Sequence, residues 1–296
     1  MLQTDTPSPT PAAPPLPAQA SWRAHARELY QYRFLLRNLI ERDLKVRYRN
    51  SLLGVLWSLL NPLGMMVVFT LVFGVFAGEG SPDKYPVFVL VGLLPWNFFS
   101  GAVVSGSNAV VVNAALVKKV YFPRELLPVA SVLSNLVNFF MAFLVLVVFL
   151  FVSGIGLTIH ALWLPALLAT QVIFTLGLVM MLSALHVFYR DIAMILDVGM
   201  LAWFFLTPVV YPLDQLTRSI DGLGALNAAQ IMRWLNPMAS IIDGYRTVLW
   251  GTLGSQGTPA PMDPAYLIRT LITSLIVLGV GYAFFRRTEH LFGEKL

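Results

Sequence analysis

The chain has 296 residues, 57% hydrophobic and only 12% charged, with a net charge of +5 and a mean hydropathy of +0.72. Soluble globular chains carry about a quarter charged residues, so this composition excludes an ordinary soluble enzyme and also disorder over most of the length. There is no cysteine, which removes disulfides, thiolate metal sites and cysteine nucleophiles, and His25, His160, His186 and His290 have no metal-ligand spacing.

Residues 1–21 hold Pro7, Pro9, Pro11, Pro14, Pro15 and Pro17 among small residues. Such a segment cannot bury a core and reads as a disordered tail. It lacks the basic start and apolar run of a secretory signal. Residues 22–50 differ. Arg33, Arg37, Glu41, Lys45 and Arg49 recur every four residues, with Leu29, Tyr32, Leu36, Leu39 and Ile40 supplying an apolar face. This spacing predicts an amphipathic helix. It fits a helix lying in the membrane interface and also a solvated cytoplasmic helix.

Six apolar runs follow, at 53–77, 86–112, 127–153, 162–185, 192–212 and 265–285. A helix of ~24 residues reaches ~36 Å, enough to cross ~30 Å of hydrocarbon. The chain is thus an all-α integral membrane protein, with a transmembrane domain over 51–296. Pro62 and Pro95 fall inside runs, and Pro95 predicts a kink or break because it cannot donate to the carbonyl of Val91. Between the last two runs, 225–235 and 237–250 are moderately apolar but too short to span. They fit re-entrant helices or an extramembrane hairpin.

Lys and Arg fix the orientation. With the N-terminus inside, residues 22–50 hold eight, the connection before the third run three, Arg190 one and the tail three. Fifteen therefore lie inside, against Lys84, Arg218, Arg233, Arg246 and Arg269 outside. This bias predicts cytoplasmic termini and assigns the basic excess to topology, not to nucleic acid.

No P-loop, dinucleotide fingerprint, nucleophile elbow or zincin motif occurs. Asp197, ~9 Å along a helix from Asp191, fits a proton site or a wet acid near the cytoplasmic mouth. So few intramembrane charges suggest a pore-forming subunit whose energy source lies in another chain.

The connection at 113–128 sets Lys118, Lys119, Arg124 and Glu125 among Val120, Tyr121 and Phe122, with Pro123 as a break. Aromatics beside charges suit a protein docking surface, and a basic loop also suits lipid headgroups. In the second run Trp96, Asn97, Phe98, Phe99 and Ser100 combine flat faces with hydroxyl-bonding groups, as a sugar path needs. The same residues suit an aromatic belt at the headgroups. Ser131, Ser134, Asn135 and Asn138 form one polar face of the third run, better read as helix packing.

Several stretches carry a family resemblance. Leu53-Gly-Val-Leu-Trp57-Ser-Leu-Leu-Asn61-Pro62 resembles the first span of type-2 ABC exporter permeases. Tyr85 to Ser100, with Leu94-Pro95-Trp96-Asn97, resembles the second span of the polysaccharide-export branch. Leu116 to Pro128 is close to a signature of that branch, and Phe188-Tyr-Arg-Asp191, Thr207-Pro-Val-Val-Tyr-Pro212, Leu235-Asn-Pro237 and Tyr245-Arg246 continue it in order. These are the permeases of O-antigen, capsular-polysaccharide and teichoic-acid export. The resemblance runs from about residue 28 to the C-terminus.

It implies a dimer of this chain with two copies of a separate ATPase subunit that binds ATP and magnesium, and no cofactor in the chain itself. It implies a cargo of lipid-linked polysaccharide, carried across the bacterial inner membrane. The segment 114–126 would be the coupling helix, with Lys118, Lys119, Tyr121, Phe122, Pro123, Arg124 and Glu125 meeting the ATPase. The N-terminal helix, through Arg33, Arg37, Lys45 and Arg49, would border the lipid entrance. The pair at 225–250 would be re-entrant helices. Two other functions are compatible with the composition. One is a type-2 permease for a drug or a lipid. The other is a membrane-embedded glycan-processing enzyme, but Asp214, Asp221 and Asp243 are too widely spaced for a paired-carboxylate site.

Overall fold

The computed structural model describes residues 30–49, 53–74, 84–211, 228–251 and 258–296. The Pro-rich tail and the start of the amphipathic segment lie outside the described residues, as does 212–227. Every regular element among the described residues is helical. They are α1 (Arg33–Tyr48), α2 (Trp57–Phe69), α3 (Tyr85–Val112), α4 (Ala114–Lys119), α5 (Leu126–Val152) and α6 (Leu164–Phe188). Then come α7 (Ile192–Leu206), α8 (Ala228–Leu235), α9 (Pro237–Leu249), α10 (Pro264–Thr288) and α11 (Phe292–Lys295).

By length and composition α3, α5, α10 and α6 with its leading 3₁₀ turn can each cross a membrane. The first and fifth apolar runs form shorter helices, Leu59–Val72 and Ile192–Leu206. α2 is extended by a 3₁₀ turn at Gly54–Leu56 and a π-type turn at Thr70–Gly74. The expected break at Pro95 does not occur. α3 runs unbroken from Tyr85 to Val112, and Gln171 of α6 donates to the Pro95 carbonyl at 2.7 Å. Packing on all sides holds the helix together where one intrahelical bond is missing.

α3 is the central element. It packs against α5, α6, α9 and α2, and most of its side chains are buried. α6 and α10 form another close pair. A Cβ on Gly177 would lie 2.5 Å from the backbone nitrogen of Leu278, and one on Gly281 would meet the Gly177 carbonyl. Small residues allow this backbone approach, as in membrane helix pairs generally.

A second, smaller core sits at one end of the bundle. Leu39 of α1, Val117, Phe122, Leu126, Phe285 and Phe292 share it. Both described chain ends therefore meet at this terminal end. α1 buries Leu39 there and exposes Arg37, Glu41 and Lys45, joined at 2.9 and 3.7 Å. The bond and charge of Arg37 hold the Glu41 carboxyl below the usual carboxylate range, and Lys45 adds to it. Arg42 donates to Asn113 Oδ1 at 2.8 Å and ties α1 to the corner between α3 and α4.

At the opposite end α7 stops at Leu206. Thr207 is extended because Pro208 disfavours the helical region for its predecessor. In the turn that follows, the backbone carbonyls have no intrahelical partner, and buried ones need donors. Arg246 of α9 supplies them. Only 5% exposed, its guanidinium donates to the carbonyls of Pro208, Val209 and Tyr211 and lies 3.8 Å over the Phe88 ring. Tyr85 donates to the Val210 carbonyl at 2.6 Å. Asn236 completes the junction. Its Oδ1 caps α9 at Met238 N (3.1 Å) and accepts from Trp203 Nε1 (3.1 Å), while its Nδ2 donates to Thr207 Oγ1 (2.8 Å).

Replacing Arg246 with Leu leaves three carbonyls without their donor. At ~1–3 kcal/mol for each buried unpaired group, the loss is ~3 kcal/mol or more. Thermal unfolding in detergent, followed by tryptophan fluorescence, should show a clearly lowered midpoint. Arg246→Lys should fall between that variant and the parent, because one ammonium cannot reproduce the fork.

Candidate functional site

Two adjoining clefts open on α3. The first has a volume of about 530 Å³ and lies among α1, α2, α3 and α5. Its polar lining is Arg47, Asn61, Asn97, Ser100, Asn135 and Asn138, with Trp57, Leu94 and Phe139 as apolar walls. Helical spacing explains the lining. Asn97, Ser100 and Gly101 stand one turn apart on α3, as Asn135 and Asn138 do on α5. Gly101 is small for a reason, since a Cβ there would come within 3.1 Å of Asn135 Oδ1.

A polar network supports this wall. Asn135 Nδ2 donates to Ser105 Oγ at 2.8 Å, Ser131 Oγ donates to the same oxygen at 2.9 Å, and Arg47 donates to Asn135 Oδ1 at 3.1 Å. Ser131 thus joins α5 to α3, and Asn135 both joins helices and faces the cleft. Amides donate and accept at once, as sugar hydroxyls do.

The second cleft, of about 470 Å³, lies between α2, α3 and α7. Met65, Phe69, Trp96, Met200, Leu201 and Phe204 make it largely apolar. Asn97, Ser100 and Gly101 line both clefts. The pair therefore presents a polar wall and an apolar wall across one strip of α3.

The aromatics expected to line a path divide. Trp96, Phe98 and Phe99 are buried within the protomer. Phe99 stacks on Phe174 at 5.7 Å and meets Trp203 edge-on at 5.1 Å, and Trp96 packs on Phe204 at 5.5 Å. Phe98 and Phe99 line neither cleft and support its wall from behind, whereas Trp96 lines the apolar cleft beside Phe204. Asn97 and Ser100 are the members of that run that line both clefts. Trp57, half exposed, and Asn61 line the polar cleft although composition singled out neither for it. The available signal was the pairing of amides one turn apart inside apolar helices.

The connection after α3 also divides. Lys118, Lys119 and Tyr121 are exposed, Tyr121 by 87%. Phe122 is only 6% exposed and belongs to the terminal-end core with Phe285 and Phe292. In this chain its ring packs in that core. Glu125 is buried, Pro123 and Arg124 are half-buried, and Arg124 donates to the Glu289 carbonyl. On α1, Arg33, Arg37, Lys45 and Arg49 are all exposed. Lys45 and Arg49 line a shallow groove with Asn38 and Arg42, and Arg33 lies 4.5 Å over the Tyr30 ring.

Residues 35–250 match the family model of the ABC-2 type transporter. The chain is 35% identical over 91% of its length, and 98% of the relative's, to the O-antigen export system permease protein RfbA of Myxococcus xanthus. The chain belongs to the ABC-2 type transporter family, on its polysaccharide-export branch. A Klebsiella pneumoniae O-antigen export system permease protein RfbA is 31% identical over 88% of the chain and 95% of its own length. The polysialic acid transport protein KpsM of Escherichia coli is 21% identical over 85% and 92%. The protein is therefore a multi-pass permease subunit, not an enzyme, and its family works with an ATPase partner.

The two aromatics of this permease's connecting loop should respond oppositely to truncation. Phe122→Ala should cost about 3 kcal/mol of stability, as for buried aromatics generally. Tyr121→Ala should leave the unfolding midpoint of the purified permease within error. Side-by-side unfolding of the two variants measures both.

Proposed function

We propose that this permease moves lipid-linked polysaccharide, of the O-antigen, capsule or teichoic-acid type, from the cytoplasmic to the outer face of the bacterial inner membrane. The observation that carries this reading is the shared strip of Asn97 and Ser100 between an amide-rich cleft and an apolar one. A glycan joined to a hydrocarbon chain is a cargo with both characters. The names of the relatives support it.

In this reading the chain spans the membrane six times, with the two shorter apolar helices among the spans and both termini cytoplasmic. α8 and α9 are re-entrant from the outer side. The working unit is two copies of the chain with two copies of an ATPase, which alone binds ATP and magnesium. Residues 22–50 form the interface helix beside the lipid entrance.

The ATPase would meet the surface formed by Lys118, Lys119 and Tyr121. Phe122 and Arg124 lie directly behind it and join it to α1, α5 and α10 through the terminal-end core. A push on Tyr121 is thereby delivered to whole helices. In the clefts, the amides of Asn61, Asn97, Asn135 and Asn138 would exchange hydrogen bonds with successive sugar hydroxyls. A series of weak, equivalent contacts allows sliding where one strong site would trap the chain.

The test is reconstitution of the permease with its ATPase in proteoliposomes carrying lipid-linked glycan. Glycan should become accessible outside only with ATP, and the purified permease alone should not hydrolyse ATP. Asn97→Leu should lower export at least tenfold with little change in unfolding midpoint, since it removes a cleft amide without creating a cavity. Full export by Asn97→Leu would remove the clefts from the path. Movement of a lipid bearing no sugar, with none of the glycan-bearing one, would favour a lipid permease.

A further inference from the structure

We infer that Asp197 selects cargo by charge, favouring glycans without negative charge along their repeat. The inference deepens the reading of the two clefts as a glycan path and rests on it. Asp197 lies on an exposed face of α7 with Met194, Val198 and Leu201, exposed by 74%, 72% and 61%. That face looks like one meant for hydrocarbon, except for the acid. Among the described residues Asp197 makes no hydrogen bond and no ion pair. A carboxylate against acyl chains is costly wherever it is not hydrated or paired. Counting along the helix, it sits ~9 Å from Asp191, inside the apolar run.

The clefts supply the hydration. Asp197 lines the second cleft together with Asn97 and Ser100, which also line the polar one. Water that reaches those two side chains reaches the carboxylate. Among the described residues, Arg47 and Asp197 are the only charged ones lining the two clefts. Arg47 lines the polar cleft alone, where it is bonded to Asn135. On the α2–α7 side the acid is therefore uncompensated, and low-dielectric walls concentrate its field on anything passing the Asn97–Ser100 strip. A neutral glycan meets only another acceptor for its hydroxyls. A glycan with a carboxylate or phosphate in each repeat meets the same repulsion at every step.

The native chain has no cysteine, so Ser100→Cys gives a single thiol at the strip. Its modification is timed with a cationic and an anionic methanethiosulfonate of similar size, in vesicles holding the permease with its ATPase. The cationic reagent should react faster. Adding Asp197→Asn should lower the cation-to-anion rate ratio several-fold, because the two reagents feel the carboxylate with opposite sign. Asp197→Glu should keep the ratio high. An unchanged ratio in Asp197→Asn, or a thiol that reacts with neither reagent, overturns the inference. Reconstituted export then ties the field to cargo. With lipid-linked glycans of equal length, one neutral and one anionic, Asp197→Asn should raise anionic relative to neutral export several-fold. An unaltered preference overturns the selectivity. A charge effect on the thiol with neither glycan exported by the parent would leave an aqueous acidic path and overturn its assignment to glycan.

Discussion

The fold hangs on one guanidinium. α7 ends in the apolar run because Thr207 precedes Pro208, and the buried carbonyls of the turn that follows need donors. Arg246 reaches them from α9 as a fork, with its flat face on Phe88. A buried cation usually demands a carboxylate. Here three backbone carbonyls take its hydrogen bonds, the charge of Asp243 adds support, and the junction is tight. A Cβ on Gly92 would stand 2.6 Å from the Arg246 Nη2 and 2.7 Å from the Val209 carbonyl. Gly92, Arg246 and the 207–211 turn are thus one unit, and with Asn236 they dock the short helices α8 and α9 on the longer ones.

The rest of the molecule is arranged around that fixed end. α3 is held on nearly every side, so the strip it offers to the two clefts has a defined position. The opposite end is fixed by a separate core that gathers α1, the 120–125 loop and the C-terminal turns. The clefts lie between these anchored ends, where α2 and α7 leave much of their apolar surface uncovered by this chain.

Much of this was legible in the residues. The long helices start and stop within a few positions of the apolar runs, because length and hydropathy alone decide them. The amphipathic stripe of α1 followed from its four-residue charge spacing. Individual side chains were harder to read. Trp96 and Phe99 look alike in sequence whether they face sugar, lipid or core, and only the structure separates them: Phe99 packs between Phe174 and Trp203, while Trp96 packs on Phe204 at the wall of the apolar cleft. Tyr121 and Phe122 are neighbours with opposite fates, since an extended backbone turns adjacent residues to opposite sides. Pro95 signalled a kink or a break, and the helix runs through it unbroken. Ser131 met Ser105 as the polar face of its helix suggested, but Asn135 proved to have a second role facing open space.

The glycine contact between α6 and α10 has a mechanical consequence. Most helix pairs touch through a layer of side chains, which can change rotamer and let one rod slide past the other. Gly177 and Gly281 have no such layer. The two backbones bear directly on each other, so they shift together or must first come apart. The pair is a strut, and compliance in this bundle is left to the helices whose neighbours still have side chains to rearrange.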